Sequence, residues 1–193
     1  AMKIIGLTGP TGAGKSSLTP VAEKLGFKVI DCDKTARQAV EKGTEGLVAL
    51  VRTFGEDILL PDGSLNRKAL AQKAFSTPQK TELLNKTLLP FITELVLREC
   101  DGDKVLLDAP TLFESGLNEK CTATVGVLAD RETRIERIKN RDNLSEDEAL
   151  TRINAGKTDE FYKQNADFVI YNNGETEEFQ KEFEVILSKI GET

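Results

Sequence analysis

Five short runs of this 193-residue chain are apolar on successive rather than alternate residues. They are Lys3–Thr8 (KIIGLT), Phe27–Asp31 (FKVID), Lys104–Asp108 (KVLLD), Ala123–Ala129 (ATVGVLA) and Asp167–Tyr171 (DFVIY). A strand has this pattern when both of its faces are buried, as in a parallel sheet. Helical patterns fall between the runs, so the expected fold is α/β, a doubly wound sheet of five parallel strands with helices on both faces. Right-handed crossovers would then bring Gly9, Asp31, Asp108 and Asp130 to one sheet edge. Open α/β sheets bind ligands outside the carboxyl ends of their strands.

The gap between the second and third runs is too long for a single crossover helix. Thr35–Val40, Gly46–Phe54 and Arg67–Phe75 carry helix-spaced apolar residues, and Pro61–Ser64 (PDGS) reads as a turn. Thr77-Pro78 opens a further helix that continues past Pro90. The segment is expected to be a helical insert, serving either as extra core or as a substrate lid. Beyond the fourth run, Arg131–Asn140 reads as a helix. Ser145 with Glu148 forms a capping box for a second helix ending near Ala155. A last helix, about Thr176–Ile190, carries Phe179, Phe183, Ile186, Leu187 and Ile190 on one face, a core stripe.

Between the first strand and the helix expected after it lies Gly9-Pro-Thr-Gly-Ala-Gly14-Lys15-Ser16, which matches G-x-x-x-x-G-K-[ST] at every fixed position. Glycines let successive backbone N–H groups turn inward around phosphate oxygens, and the following helix offers its positive end. Gly12, Ala13, Gly14, Lys15, Ser16 and Ser17 are the expected nucleotide contacts. Lys15 would reach the β- and γ-phosphates and the Ser16 hydroxyl would hold Mg²⁺. A dinucleotide fingerprint fits less well, because Ser17 stands where it needs Gly or Ala and Lys15 stands where the backbone must approach closely. A guanine-reading N-K-x-D segment is missing: Asn85-Lys86-Thr87-Leu88 lacks the acid. A small-molecule kinase is therefore favoured over a nucleotide switch.

Bulk properties narrow the classes. The formal net charge of −6 argues against broad nucleic-acid binding, while leaving room for a local basic site. With no histidine and three widely spaced cysteines, zinc sites, histidine-based catalysis and a disulfide framework are weak candidates. No apolar run approaches the roughly 20 residues of a membrane helix, and no secretory signal is legible. The expectation is a cytoplasmic monomer that meets neither nucleic acid nor membrane.

Three stretches could supply chemistry around the phosphates. In "VIDCD", Asp33 is either the carboxylate that accepts the proton of an alcohol acceptor or the N-cap of the next helix; Asp31 leans towards structure. "KVLLDAPTLFESG" puts Asp108 at the end of the third strand, where an acid near Mg²⁺ is usual, with Pro110 and Glu114 in a following loop. In "RETRIERIKNRD", Arg134, Arg137 and Arg141 share one helical face. They could clamp a transferring phosphoryl group, Arg141 foremost, then Arg137, with Arg134 last. The other reading is a solvated helix whose charges pair with Glu132 and Glu136.

Taken together, "GLTGPTGAGKSS", "VIDCDKTAR", "FGEDILLPDGSLNRKAL", "LDAPTLFESGL", "RIKNRDNLSEDEA" and "ADFVIYNNG" resemble the dephospho-coenzyme A kinase family, from Lys3 to about Gly174. The resemblance implies ATP-dependent phosphorylation of the ribose 3′-hydroxyl of dephospho-CoA, the last step of coenzyme A synthesis. It implies a P-loop kinase core (2–34 and 101–193), a helical CoA-binding insert (35–100) and a lid (134–163). By that resemblance Asp33 is the general base, Lys15 and Arg141 stabilise charge on the γ-phosphoryl group, and Ser16 binds Mg²⁺. Arg67 helps to bind substrate, as do Asp108 and Pro110, and Arg137 contacts the nucleotide. Another small-molecule or nucleoside kinase of the same fold is the rival reading. The chain departs from the family pattern at Leu89, where His is usual, at Ala109 to Leu112, where Val-Pro-Leu-Leu is usual, and at Gly156, often Gln. These departures touch substrate contacts rather than the phosphoryl chemistry.

Overall fold

The strand β1 (Lys3–Thr8) is buried from Ile4 to Thr8 because it lies in the middle of a five-stranded sheet of order β2-β3-β1-β4-β5. The computed structural model describes residues 2–192. The other strands are β2 (Lys28–Asp31), β3 (Lys104–Asp108), β4 (Ala123–Leu128) and β5 (Phe168–Tyr171). β1 pairs in parallel with β3, Leu7 opposite Asp108, and with β4, Thr8 opposite Gly126. β4 pairs in parallel with β5, Leu128 opposite Tyr171. The five apolar runs therefore are the five strands, with boundaries within a residue or so of those expected.

The chain divides into two compact units. The first takes the chain up to Val29, with Asp101–Pro110 and everything from Lys120 onward. Its core joins Ile5, Leu7, Leu106, Val125 and Val127 of the strands to Val21 and Ala22 of α1 (Thr19–Lys24). The stripe Phe179, Phe183, Ile186, Leu187 and Ile190 of the last helix is buried in the same cluster. Phe183 is fully buried, and truncating such a side chain to Ala costs about 3–5 kcal/mol.

Within this unit α7 (Arg131–Asp142) and α8 (Glu146–Ala155) pack through Ile135, Ile138, Ala149 and Ile153. The turn between them ends α7 on Asn143 in the left-handed region (φ 52°). Ser145 is the expected cap: the Glu148 N–H donates to Ser145 Oγ at 3.2 Å, and that hydroxyl donates to Glu148 Oε1 at 3.0 Å rather than the carboxylate reaching the Ser145 N–H. A seven-residue helix, α9 (Asp159–Asn165), escaped the sequence pattern because it buries only Tyr162. Its last helix, α10, spans Thr176–Gly191.

The second unit comprises Ile30–Cys100 and Thr111–Glu119. It holds α2 (Cys32–Gln38), α3 (Glu45–Phe54), α4 (Arg67–Ala74) and α5 (Pro78–Glu99). A separate core of Val40, Leu50, Ile58, Leu70 and Ala74 unites them. Thr77 caps α5, which runs through Pro90 without a break. Thr111–Glu119 contributes a short helix, α6 (Leu112–Ser115), where a plain loop was expected. It ends on Gly116 (φ +86°), whose missing Cβ would lie 3.0 Å from Leu89 Cδ2. The departing residue Leu89 thus packs against the segment that carries Thr111.

Candidate active site

In the first unit, β1 leads directly into the glycine-rich loop. Gly9 is required by proximity: a Cβ there would run into the Val127 carbonyl of β4. The Ala13 N–H closes a turn on the Pro10 carbonyl at 3.2 Å. Gly12 and Gly14 both hold φ +81°, a backbone region that side chains disfavour. Lys15–Ser17 forms one 3₁₀ turn, and Pro20 opens α1 behind it. Ala13 is buried and Ser16 is exposed, its hydroxyl at the surface of the first turn. Ser17 Oγ donates back to the Gly14 carbonyl at 3.3 Å.

Lys15 Nζ forms an ion pair with Asp108, at the carboxyl end of β3, and each side chain is about a fifth exposed. The Thr8 hydroxyl donates to the Pro110 carbonyl at 3.1 Å, tying the segment after β3 to the start of the loop. Lys15, Asp108 and Pro110 are thus gathered at one edge of the sheet, where the register of β1 and β3 requires them.

The arginine face of α7 is graded from core to solvent: Arg134 is buried, Arg137 is half-buried and Arg141 is exposed. Arg134, ranked last from sequence, is only 5% exposed, and its Nε donates to the Thr11 carbonyl at 2.9 Å. Arg137 Nη1 donates to the carbonyls of Gly12 (3.2 Å) and Ala13 (3.0 Å), and its Nη2 to that of Asn172 (2.8 Å). Burial holds both guanidinium pKa values below the usual arginine value, though an arginine stays charged. Arg141 Nη2 reaches Thr11 Oγ1 at 3.2 Å, which gives that variable loop position a task. Arg141 also donates to both carboxylate oxygens of Asp142, which Arg152 shares at 2.5 Å. Hydrogen bonding to Asp142 raises the Arg141 pKa, and the same bond lowers that of Asp142.

In the second unit, α2 begins three residues earlier than its apolar spacing suggests, because Asp31 caps it. The Asp31 carboxylate accepts from the N–H groups of Asp33 (3.0 Å) and Lys34 (3.3 Å). Asp33 therefore is not the cap; it stands exposed in the first turn. Asn66 caps α4 by accepting from the Ala69 N–H at 3.1 Å, which places Arg67 at the first helical position.

Asp33 and Arg67 line one cavity of about 420 Å³. Arg37, one turn beyond Asp33 on α2, lines it too, and sequence reasoning missed it. Its wall is apolar, from Val40, Leu50, Leu65, Leu70, Phe75 and Leu88. The i, i+4 spacing of Asp33 and Arg37 in "VIDCDKTAR" was the available signal. Such a cavity suits an anionic ligand with a long, weakly polar arm.

Among the described residues, no group of three or more Cys, Asp or Glu could hold a metal ion, and no helix is long and apolar enough to cross a membrane. A Mg²⁺ that keeps several waters needs no such group. Ser16 at the first turn fits that mode of binding.

Known proteins resemble this chain in sequence and fold. The model of the dephospho-CoA kinase family matches residues 3–178. A dephospho-CoA kinase of Oryza sativa subsp. japonica is 37% identical over 197 residues, covering 99% of this chain and 86% of that protein. One from Listeria innocua is 40% identical over 186 residues, covering 93% of each. A crystal structure from Thermus thermophilus superposes with a TM-score of 0.77 at 31% identity, covering 97% of both chains. A shikimate kinase from Acinetobacter baumannii, at 18% identity and a TM-score of 0.54 over 98% of this chain and 95% of that one, shares the fold alone. A family match spanning both compact units, with relatives alike over nearly their whole length, identifies this chain as a member of the dephospho-CoA kinase family.

Proposed function

We propose that this chain transfers the γ-phosphoryl group of ATP to the ribose 3′-hydroxyl of dephospho-CoA, giving coenzyme A and ADP. The observation that carries the reading is the cavity shared by Asp33, Arg37 and Arg67. It offers a carboxylate for a hydroxyl, two cations for the acceptor's phosphates, and an apolar wall for its extended arm. Asp33 orients the acceptor hydroxyl and accepts its proton.

The loop amides from Gly12 to Ser17 and the Lys15 ammonium hold the phosphates of ATP, and Arg141 stabilises charge on the group in transfer. Mg²⁺, when bound, neutralises charge on the β- and γ-phosphates, and Ser16 would hold it together with phosphate oxygens and water. Arg137 supports the same loop from behind. Asp108, paired with Lys15, helps to position its ammonium. Residues 35–100 act as the substrate domain and 134–163 as the lid. The setting we infer is the cytoplasm, with the chain working as a monomer.

The reading is tested by following ADP release with dephospho-CoA, AMP, adenosine and small alcohols offered in parallel. Dephospho-CoA should be the preferred acceptor. ADP release with another acceptor, and none above buffer with dephospho-CoA, would assign the chain a different substrate within the same fold.

A further inference from the structure

Two buried polar side chains, Arg134, which the sequence ranks last among the arginines, and Asn172, to which it assigns no role, meet the glycine-rich loop. Arg134 is 5% exposed and donates Nε to the Thr11 carbonyl at 2.9 Å. Asn172, just beyond β5, is 6% exposed and donates Nδ2 to the Ala13 carbonyl at 3.0 Å. Asn172 is itself fixed, its N–H on the Leu128 carbonyl (2.8 Å) and its carbonyl under Arg137 Nη2 (2.8 Å). A Cβ on Gly14 would lie 2.5 Å from Asn172 Nδ2, so the amide occupies the space a side chain would take.

A trans peptide plane carries its C=O and the next residue's N–H on opposite sides. Holding the Thr11 and Ala13 carbonyls therefore orients the N–H groups of Gly12 and Gly14. Neither of those amides donates to a protein acceptor among the described residues, whereas the Ala13 amide between them is taken by Pro10. Glycine planes turn over at the least steric cost, so these two gain most from an external hold.

Arg134 has no stronger task elsewhere. Its Nη1 lies 3.9 Å from Asp159, and its buried Nη2 has no hydrogen-bond partner. A cation kept in so dry a place with incomplete pairing is costly for stability alone. Behind an anion-binding loop its charge also acts in the favourable sense.

We propose that Arg134 and Asn172 are positioning residues for nucleotide binding: they pin the Thr11 and Ala13 carbonyls outward and so keep the Gly12 and Gly14 N–H groups turned towards the phosphates. The proposal rests on the assignment of the loop as the ATP site. The variants are Asn172→Asp, nearly isosteric but without the donor, and Arg134→Met, without any donor. Arg134→Lys, whose ammonium can still donate to Thr11, serves as the rescue, and Asn172→Ala replaces Asn172→Asp should that chain not fold. ADP binding is read by titration calorimetry, adenosine binding by competition, and folding by thermal denaturation.

Loss of one charge-assisted or neutral hydrogen bond should weaken ADP binding about tenfold. Adenosine affinity should hold, and Arg134→Lys should recover most of the loss. Parallel losses for ADP and adenosine, or ADP affinity unchanged in the folded Asn172 variant, would overturn the proposal. The unsubstituted chain separates the two readings. If it binds ADP but makes no product from dephospho-CoA, the acceptor assignment fails while the loop brace stands.

Discussion

Asp31 accepts hydrogen bonds from the backbone N–H groups of Asp33 and Lys34, at 3.0 and 3.3 Å, and thereby releases the Asp33 carboxylate from capping α2. Two adjacent acids in one motif thus have separable tasks. Asp31→Ala should lower stability by about 1 kcal/mol, the usual value of an N-cap. Asp33→Asn should change stability by no more than a few tenths of a kcal/mol, its share of the helix dipole. It should instead lower kcat by roughly a hundredfold or more, with ATP binding retained. Urea denaturation and steady-state kinetics on the two variants check both halves. A large stability loss in Asp33→Asn with near-normal kcat would return Asp33 to a structural role.

Arg37 and Arg67 face the same cavity as Asp33 from α2 and α4. Each is assigned to the acceptor rather than to ATP. Arg37→Met and Arg67→Met should each raise KM for dephospho-CoA by about tenfold, the value of one charge-assisted contact. KM for ATP should stay within about a factor of two, since RT ln 2 is below half a kcal/mol. Initial rates with each substrate varied in turn decide this, and a rise confined to KM for ATP would contradict it.

Lys15 forms an ion pair with Asp108. Asp108→Asn removes that partner and should lower the stability of the nucleotide-free chain by about 1 kcal/mol, as for a partly buried ion pair. Saturating ATP should shrink the difference, because phosphate oxygens then pair with Lys15. Thermal denaturation with and without ATP measures it. Equal losses in both conditions would place the pair outside nucleotide binding.

Cys121 provides a pH test of the sheet's flank. Burial, aided by the nearby Asp167 charge, pushes its thiol pKa up to about 12. The native chain therefore keeps this proton at pH values where the unfolded chain, with a thiol pKa near 8.5, has lost it. The stability contribution is whole below about pH 8.5 and declines as pH rises towards 12, since the unfolded state binds fewer protons there. Iodoacetamide at pH 8.5 should leave Cys121 unmodified in the native chain and alkylate it in denaturant. Rapid native alkylation, read by peptide mass mapping, would refute this.

What the sequence made legible was local. Successive apolar residues marked the strands because both strand faces are buried. Ser145 with Glu148 marked a helix start because the capping contact spans three residues. The stripe from Phe179 to Ile190 marked core because helical spacing repeats over about three turns. The loop residues from Gly12 to Ser17 were legible because φ, charge and hydroxyl chemistry all sit within one short segment.

What stayed hidden depends on long-range contacts. Asn172 reaches Ala13 across 159 positions, which no window of sequence contains. Arg134 looked like one charge on an exposed face, since a helical pattern does not reveal that the loop meets this end of it. Helix α9 has seven residues and only Tyr162 is buried, too few for a period. The start of α2 was misjudged because Asp31 and Asp33 are both plausible caps by type, and only the geometry chooses between them.

The most direct test of the central claim is the product itself. Dephospho-CoA, ATP and Mg²⁺ are incubated with the chain, and the phosphorylated product is located by mass spectrometry and phosphorus NMR. The account predicts coenzyme A with its new phosphate on the ribose 3′-oxygen, formed with an equal amount of ADP and suppressed by Asp33→Asn. Unchanged dephospho-CoA beside active turnover of another alcohol, or a phosphate on any other oxygen, would contradict it.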